Sequence, residues 1–430
     1  MKAGWKPTWL LLSTILALAM VQQLNFFISQ DDKFRFRKIN AEGVRESEAG
    51  DTDTEPLFSS RNIRRHCGMD NGSLMGTLEM YKECLSWLKS TSRLSQDAGD
   101  KEELSLPQPY NKEGLVFHQF WFNIHSKEKI PDGYLIGLYS ILATQDQKRT
   151  RLILWHWDGI KPDPRLPPEI SCRVEFSAVT KDLLERVLNL IGEDSAFLLP
   201  DVNALQTLRG SDFVRMLLLY YYGGLYSDMD VLFLRNLAPL LNSSFFYRWS
   251  DQPYINNAVF HFRRRHPALR RLLKACVCRQ DGCRLDGPIP LFSCMRQHNV
   301  VSAIEESGGK SAEAIMFYPS TFFDPPWIAL DHVWKRDSTG MNITFVEFRA
   351  SPCSVYRPTA TLAEVISDTN GASTSDCSSV DFFPGAFAFH QHYNPTKSDH
   401  LHFLHANSMF SYLFDKYKST VVQRRMCASA

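Results

Sequence analysis

Two aspartates, Asp228 and Asp230, stand one residue apart in the run YYYGGLYSDMDVLFL (Tyr220 to Leu234), which apart from Ser227 is otherwise apolar, aromatic or glycine. In an extended backbone residues i and i+2 point the same way, so both carboxylates would address one spot while Met229 faces away. Like charges a few ångströms apart are costly unless a cation neutralises them. Oxygen ligands of this kind suit Mg²⁺ or Mn²⁺, which keep coordination positions open for phosphates. An enzyme using a nucleotide-diphosphate sugar needs that arrangement, because the charge on the departing nucleotide must be neutralised. The bland alternative is a structural turn. The chain supplies a comparison in Asp51-Thr52-Asp53, which has the same pattern in a polar stretch and reads as solvated.

The neighbouring elements must aim such a pair. A helix is expected from a Ser211 cap to Tyr222, stopped at Gly223-Gly224. Strand-like pieces follow at 225–227 and 231–234, which puts the aspartates at a strand end or in the loop between two extended pieces. Upstream, LVFHQFWF (Leu115 to Phe122) and RLILWHW (Arg151 to Trp157) have the length and composition of buried strands, and a helix-compatible stretch, 131–143, separates them. Strand, helix, strand implies a parallel crossover in an α/β domain. In TKDLLERVLNLIG, Leu183, Leu184, Val187, Leu188 and Ile191 share one helical face between a Thr180 cap and Gly192. No internal repeat and no phosphate-cradling glycine motif is present.

The whole chain bounds the reading. With 430 residues, 44% hydrophobic, there is ample material for a core, and a net charge of +1 gives no electrostatic footprint for nucleic acid. Trp9 to Ile28 is apolar and about long enough to span a bilayer, preceded by Lys2 and Lys6. We read it as an uncleaved signal anchor, with a cleavable signal peptide as the competitor because Ala17-Leu18-Ala19 is a small-x-small site. Lys33, Arg35, Arg37 and Lys38 after the segment oppose the simple positive-inside rule. Sequons at Asn71, Asn242 and Asn342 and ten cysteines suit a lumenal, oxidising compartment. Zinc is the alternative for Cys276, Cys278, Cys283 and Cys294, although their spacing matches no usual zinc pattern. The expected organisation is a short cytoplasmic tail (1–8), a transmembrane anchor (9–28), a polar stem with one helix (29–112) and a catalytic domain (113–430).

Ser211 to Leu237, with its serine-aspartate, an arginine three residues on, Gly-Gly, an aromatic and D-x-D, resembles the signature of glycosyltransferase family 32. HQFW at His118 to Trp121, LWHWD at Leu154 to Asp158, INNAVFHFRRRHP at Ile255 to Pro267, and DGPIPL at Asp286 to Leu291 are similar to further elements of that family. YPSTFFDPPW at Tyr318 to Trp327 is similar to a stretch in its lactosylceramide 4-alpha-galactosyltransferase group. The resemblance implies a GT-A fold, Rossmann-like in its nucleotide-binding half, and metal-dependent sugar transfer that retains anomeric configuration. It implies Asp228 toward the donor sugar or ribose and Asp230 on the metal, Mn²⁺ or Mg²⁺. Asp212 and Arg215 would position the donor, with His118, Gln119, Trp121 and Tyr226 also in donor binding, and Gly223 and Gly224 would let the backbone turn closely under the nucleotide. FAFHQHYN, Phe387 to Asn394, resembles a late histidine segment, with His390 the candidate third ligand; His400, His402 and His405 read as surface or core-edge residues. No nucleophile is named, since front-face departure needs none. The expected partners are a nucleotide-sugar donor, UDP- or GDP-linked, a glycan or glycolipid acceptor, and the Golgi or ER membrane through the anchor. A nucleotide-sugar hydrolase and a catalytically silent lumenal binding protein are the competing readings.

Overall fold

The computed structural model describes residues 57–67, 83–91, 114–121, 130–157, 166–192, 208–248, 255–277, 291, 293–295, 315–325, 385–391, 409–424 and 427. The chain divides after Glu55, and all of these residues belong to the second unit, Pro56–Ala430. The apolar segment 9–28 lies outside the described residues, as do Asn71, Asn342, Asp286, His400, His402 and His405. No described helix is long and apolar enough to cross a membrane.

The expected first crossover is present. Strand β1 (Leu115–Phe120) runs parallel to β2 (Thr150–Trp157), with helix α2 (Asp132–Thr144) between them in sequence. Nearly every side chain of β1 and β2 is buried, as expected for parallel strands covered on both faces. β3 (Val174–Val179) and β4 (Gly224–Ser227) extend the parallel part. β7 (Ile255–Phe262), antiparallel to both its neighbours, then β6 (Ser244–Arg248) and β8 (Ile315–Tyr318), parallel to each other, complete a seven-stranded sheet of order β3-β2-β1-β4-β7-β6-β8. A second, two-stranded antiparallel sheet pairs β5 (Val231–Phe233) with β9 (Ala388–His390).

The pleat sorts side chains onto two faces. Leu115, Phe117, Leu152 and Leu154 face one core, shared with α2 and α7 (Met409–Gln423). Ile153, Trp155 and Trp157 face the other, covered by α4 (Lys181–Ile191), α5 (Leu208–Tyr222) and α6 (Pro267–Val277). The five apolar residues of α4 are all buried, worth roughly 1.5–3 kcal/mol each. Its caps are those expected: Thr180 Oγ1 accepts from Leu183 N–H, and Gly192 is left-handed. α5 differs, starting at Leu208, so that Ser211 lies inside the helix rather than at its start.

Two of the arginines around RRRHP close helix ends. Arg264 Nε donates to the Tyr221 carbonyl at 2.9 Å and Arg270 Nη2 to the Ile191 carbonyl at 2.9 Å. Disulfides join Cys67 to Cys84 and Cys172 to Cys427. Cys294 is also disulfide-bonded, which removes it from the alternative zinc quartet.

Part of the segment expected as a stem packs into the domain. Helix α1 (Ser60–Cys67) and helical residues 83–91 contribute Phe58, Ile63, Cys67, Cys84 and Leu88 to the same core as α2, β5 and β9. The apolar residues there are sparse in sequence, which is why the stretch reads as solvated. The cystine brings them together.

Candidate metal centre

β4 ends at Ser227, and the chain does not continue extended through the aspartates. Asp228 N–H donates to the Ala258 carbonyl, and Val231 N–H returns to the Asp228 carbonyl at 3.2 Å, so 228–231 is a tight turn joining the large sheet to β5. The expected side-by-side display on an extended strand is therefore corrected: the turn, not a pleat, brings the carboxylates together. Met229 faces away as expected and is buried in the core.

β9 supplies the third group. His390 stands opposite Val231 in the β5–β9 register, and Gln391 N–H donates to the Asp230 carbonyl at 3.0 Å. One ligand atom from each of Asp228, Asp230 and His390 lies within 4.8 Å of the others. His390 Nε2 is 3.5 Å from Asp230 Oδ1, whereas its Nδ1 faces Tyr247 Oη at 3.2 Å and Asp324 Oδ2 at 3.8 Å.

Behind Asp228 sits a buried guanidinium. Arg215, from α5, reaches Asp228 Oδ1 at 3.0 Å with Nη1 and Asp212 Oδ1 at 3.0 Å with Nη2, and donates to the Asn257 carbonyl. Its plane lies over the Tyr226 ring, 4.7 Å from the centroid, and Tyr226 Oη donates to Asp228 Oδ1 at 2.9 Å. Asn257 Nδ2 in turn donates to Asp212. Arg215 and Asp212 thus hold one another one helical turn apart, as their spacing implies. Asp228 keeps part of its surface open, with its side chain 28% exposed against 8% for Arg215.

Among the described residues, Asp212, Asp228, Asp230 and Asp324 surround one guanidinium and one imidazole. Burial and the Asp230 charge push the Asp228 carboxyl above its usual range, although Arg215 opposes this. Burial disfavours imidazolium at His390, yet Asp230, Asp324 and Asp228 together raise its pKa to about 9. Two carboxylate oxygens and an imidazole nitrogen in a half-buried, electron-rich nook fit a divalent cation of the Mg²⁺ or Mn²⁺ type.

The remaining expected residues support the turn from beneath. Gln119 Nε2 donates to Ser227 Oγ at 3.0 Å and to the Asp228 carbonyl at 3.3 Å. His118 is fully buried; Trp155 Nε1 donates to its Nδ1, which leaves Nε2–H to donate to the Gly223 carbonyl. Burial lowers its pKa to about 4 and keeps it neutral. Trp121 is 3% exposed and packs in the core. Gly223 and Gly224 have φ of +71° and +99°, and a Cβ at either would strike the backbone of Arg264 or Val116, so the space a side chain would need is taken by the chain itself. These residues are structural neighbours of the site rather than a surface presented to a ligand.

Gly137 carries no motif signal, yet its missing Cβ makes room for the Met229 and Val231 carbonyls, so α2 lies directly under the turn. Asn257, Tyr247 and Asp324 were likewise not singled out; Asn257's place in the INNAVF stretch and Asp324's in YPSTFFDPPW could have marked them, whereas Tyr247 carried no such signal. Asn242 is exposed in the turn before β6.

Residues 171–247 match the family model described as glycosyltransferase sugar-binding region containing DXD motif. That region is similar to the DXD-containing glycosyltransferases. A curated relative, inositol phosphoceramide mannosyltransferase 3 of Schizosaccharomyces pombe, is 39% identical over 64 residues. That match covers 15% of this chain and 18% of the relative, so this chain spans less than a fifth of it. Among solved structures, PaToxG glycosyltransferase matches 55% of this chain and 84% of its own at 14% identity and TM-score 0.32. Glycosyltransferase GlyE of Streptococcus pneumoniae TIGR4 matches 72% and 64% at 11% identity and TM-score 0.24.

Proposed function

We propose that this protein is a metal-dependent, retaining glycosyltransferase of the GT-A type, moving a sugar from a nucleotide-diphosphate donor, UDP-linked, to a hydroxyl of a glycan or glycolipid. The observation that carries the reading is the convergence of Asp228, Asp230 and His390 within 4.8 Å at a turn with a buried arginine behind it. Asp230 and His390 hold the cation, with Asp228 between it and the donor sugar or ribose. When bound, a divalent ion neutralises the diphosphate and the charge that develops as the nucleotide departs. Arg215 keeps Asp228 ionised and fixed against Tyr226, and Asp212 fixes Arg215. Gln119 pins the Asp228 carbonyl, so the pair does not reorganise as charge builds. No carboxylate is assigned as nucleophile; the departing phosphate oxygen accepts the acceptor's proton on the front face.

The body is proposed to lie in the Golgi or ER lumen behind a type II anchor at 9–28, with a tail at 1–8. The disulfides and the exposed Asn242 sequon support that side of the membrane. Asn71 and Asn342 are proposed as further glycan acceptors. The catalytic unit is 113–430 together with the packed residues of 57–91, and the stem is what remains of 29–112. A GDP-mannose donor is the second reading, favoured by the mannosyltransferase match. A panel of UDP- and GDP-sugars with Mn²⁺ and mixed glycan and glycolipid acceptors, scored for nucleotide release, tests both. Release that needs metal and acceptor is expected. Release at full rate without acceptor would establish the hydrolase, and none with any donor would favour the silent binding protein.

A further inference from the structure

Asp324 takes no part in the reaction as described, but its location is unusual for a carboxylate. It follows β8 and the 3-10 turn Ser320–Phe322, and is 0% exposed. Burying a carboxylate costs several kcal/mol unless opposite charge or hydrogen bonds offset it. Its Oδ2 points at His390 Nδ1, on the ring edge opposite Asp230. The backbone fixes this juxtaposition, because His390 N–H donates to the Phe323 carbonyl at 3.0 Å and Phe387 N–H to the Phe322 carbonyl at 2.8 Å.

The chemistry of the imidazole makes that placement consequential. A metal on Nε2 takes the lone pair of a neutral ring, so the proton must sit on Nδ1. Tyr247 Oη, 3.2 Å from Nδ1, cannot enforce this, since a phenol can donate as readily as accept. If it donated, the ring proton would move to Nε2 and His390 would cease to be a ligand. An ionised carboxylate can only accept. At 3.8 Å, Asp324 acts on Nδ1 through charge rather than a formed hydrogen bond; Asp230 acts likewise on Nε2 from 3.5 Å, but where a cation takes the Nε2 side the Asp324 charge favours hydrogen on Nδ1.

We infer that Asp324 is a positioning residue that holds His390 in its Nδ1–H form, with Nε2 free to bind the divalent cation. This rests on the metal-site reading proposed above. The test is Mn²⁺ titration of the full chain without nucleotide, followed by electron paramagnetic resonance, for the wild type and for Asp324→Asn, Tyr247→Phe and Asp230→Asn. Asp324→Asn, whose amide can donate to Nδ1, is expected to weaken Mn²⁺ binding about 10- to 100-fold. Tyr247→Phe is expected to stay within about threefold. Nitrogen-15 spectra of labelled histidine, with diamagnetic Cd²⁺ in place of Mn²⁺, are expected to show His390 protonated at Nδ1. Wild-type affinity in Asp324→Asn, with affinity lost in Asp230→Asn, would overturn the role of Asp324 and leave the metal site standing. Affinity kept in Asp230→Asn as well would overturn the metal site itself. Should Asp324→Asn not fold, the wild-type spectrum still decides, and a proton on Nε2 would refute the inference.

Discussion

Arg215 is the residue on which the electrostatics of the site turn. It lies buried between Asp228 and Asp212, and both carboxylates hold it charged against the cost of burial. Replacing it with methionine keeps the volume but leaves two carboxylates without their cation, which should cost about 3–5 kcal/mol. A lowered urea midpoint at unchanged slope is the measurement. Two histidines set the acid limit. Burial brings His118 and His261 down to about 4 from the usual 6.5. The unfolded chain takes up protons as pH falls through 6.5, and the folded chain does not until near 4. The contribution of these two histidines is therefore full above pH 6.5 and lost between 6.5 and 4, by roughly 3 kcal/mol per histidine at most. Urea midpoints for His118→Gln and for the wild type across that window test this: the substituted protein should lose less between pH 6.5 and 4. At this scale the sequence was informative where the motif was dense. Asp228, Asp230, Arg215 and His390 all meet, but His118 and Trp121 turn inward, because a motif records which residues a fold needs and not whether each touches ligand.

The elements bring in what no motif records. α2 is largely apolar, and Gly137 in its middle looks like a weakness in a helix, worth about 1 kcal/mol against alanine. The close approach of the Met229 carbonyl reverses that sign. Gly137→Ala is expected to destabilise by about 1–3 kcal/mol and to weaken Mn²⁺ binding by pushing the 228–231 turn; a higher melting temperature would show that the turn yields freely. The segment 57–91 acts on β9 from the other side. Phe58 packs edge-on to Phe387 at 5.4 Å and near Phe322 at 6.0 Å, and Gly385 packs on the backbone of Leu88. Arg235 stacks over Phe387 at 3.7 Å. Cys67→Ser with Cys84→Ser should loosen this brace and cost 2–5 kcal/mol of stability, with Mn²⁺ affinity falling because β9 carries His390. Unchanged affinity at reduced stability would separate the brace from the metal centre. The brace was hard to read because Phe58, Ile63, Cys67, Cys84 and Leu88 are scattered among charged residues; only the cysteine pair hinted at it.

Over the whole molecule, the parallel start of the sheet was legible because buried parallel strands announce themselves as short apolar runs, as in LVFHQF and RLILWHW. The continuation through antiparallel β7 and then β6 and β8 was not, since pairing partners far apart in sequence leave no periodic trace. The same holds for the Cys172–Cys427 link, 255 residues apart, and for Arg424 of the C-terminal segment closing α2 through the Ala143 carbonyl at 2.9 Å. These long-range ties mean that a fragment beginning near residue 111 would lose the brace, whereas one beginning near residue 56 would keep it. The most direct measurement is calorimetric titration of the intact protein with UDP, and with GDP, in the presence and absence of Mn²⁺. The metal site requires that the cognate nucleotide bind tightly only with Mn²⁺ and that Asp230→Asn abolish this while the fold is retained. Nucleotide binding of equal strength with and without the ion, or undiminished in Asp230→Asn, would contradict it.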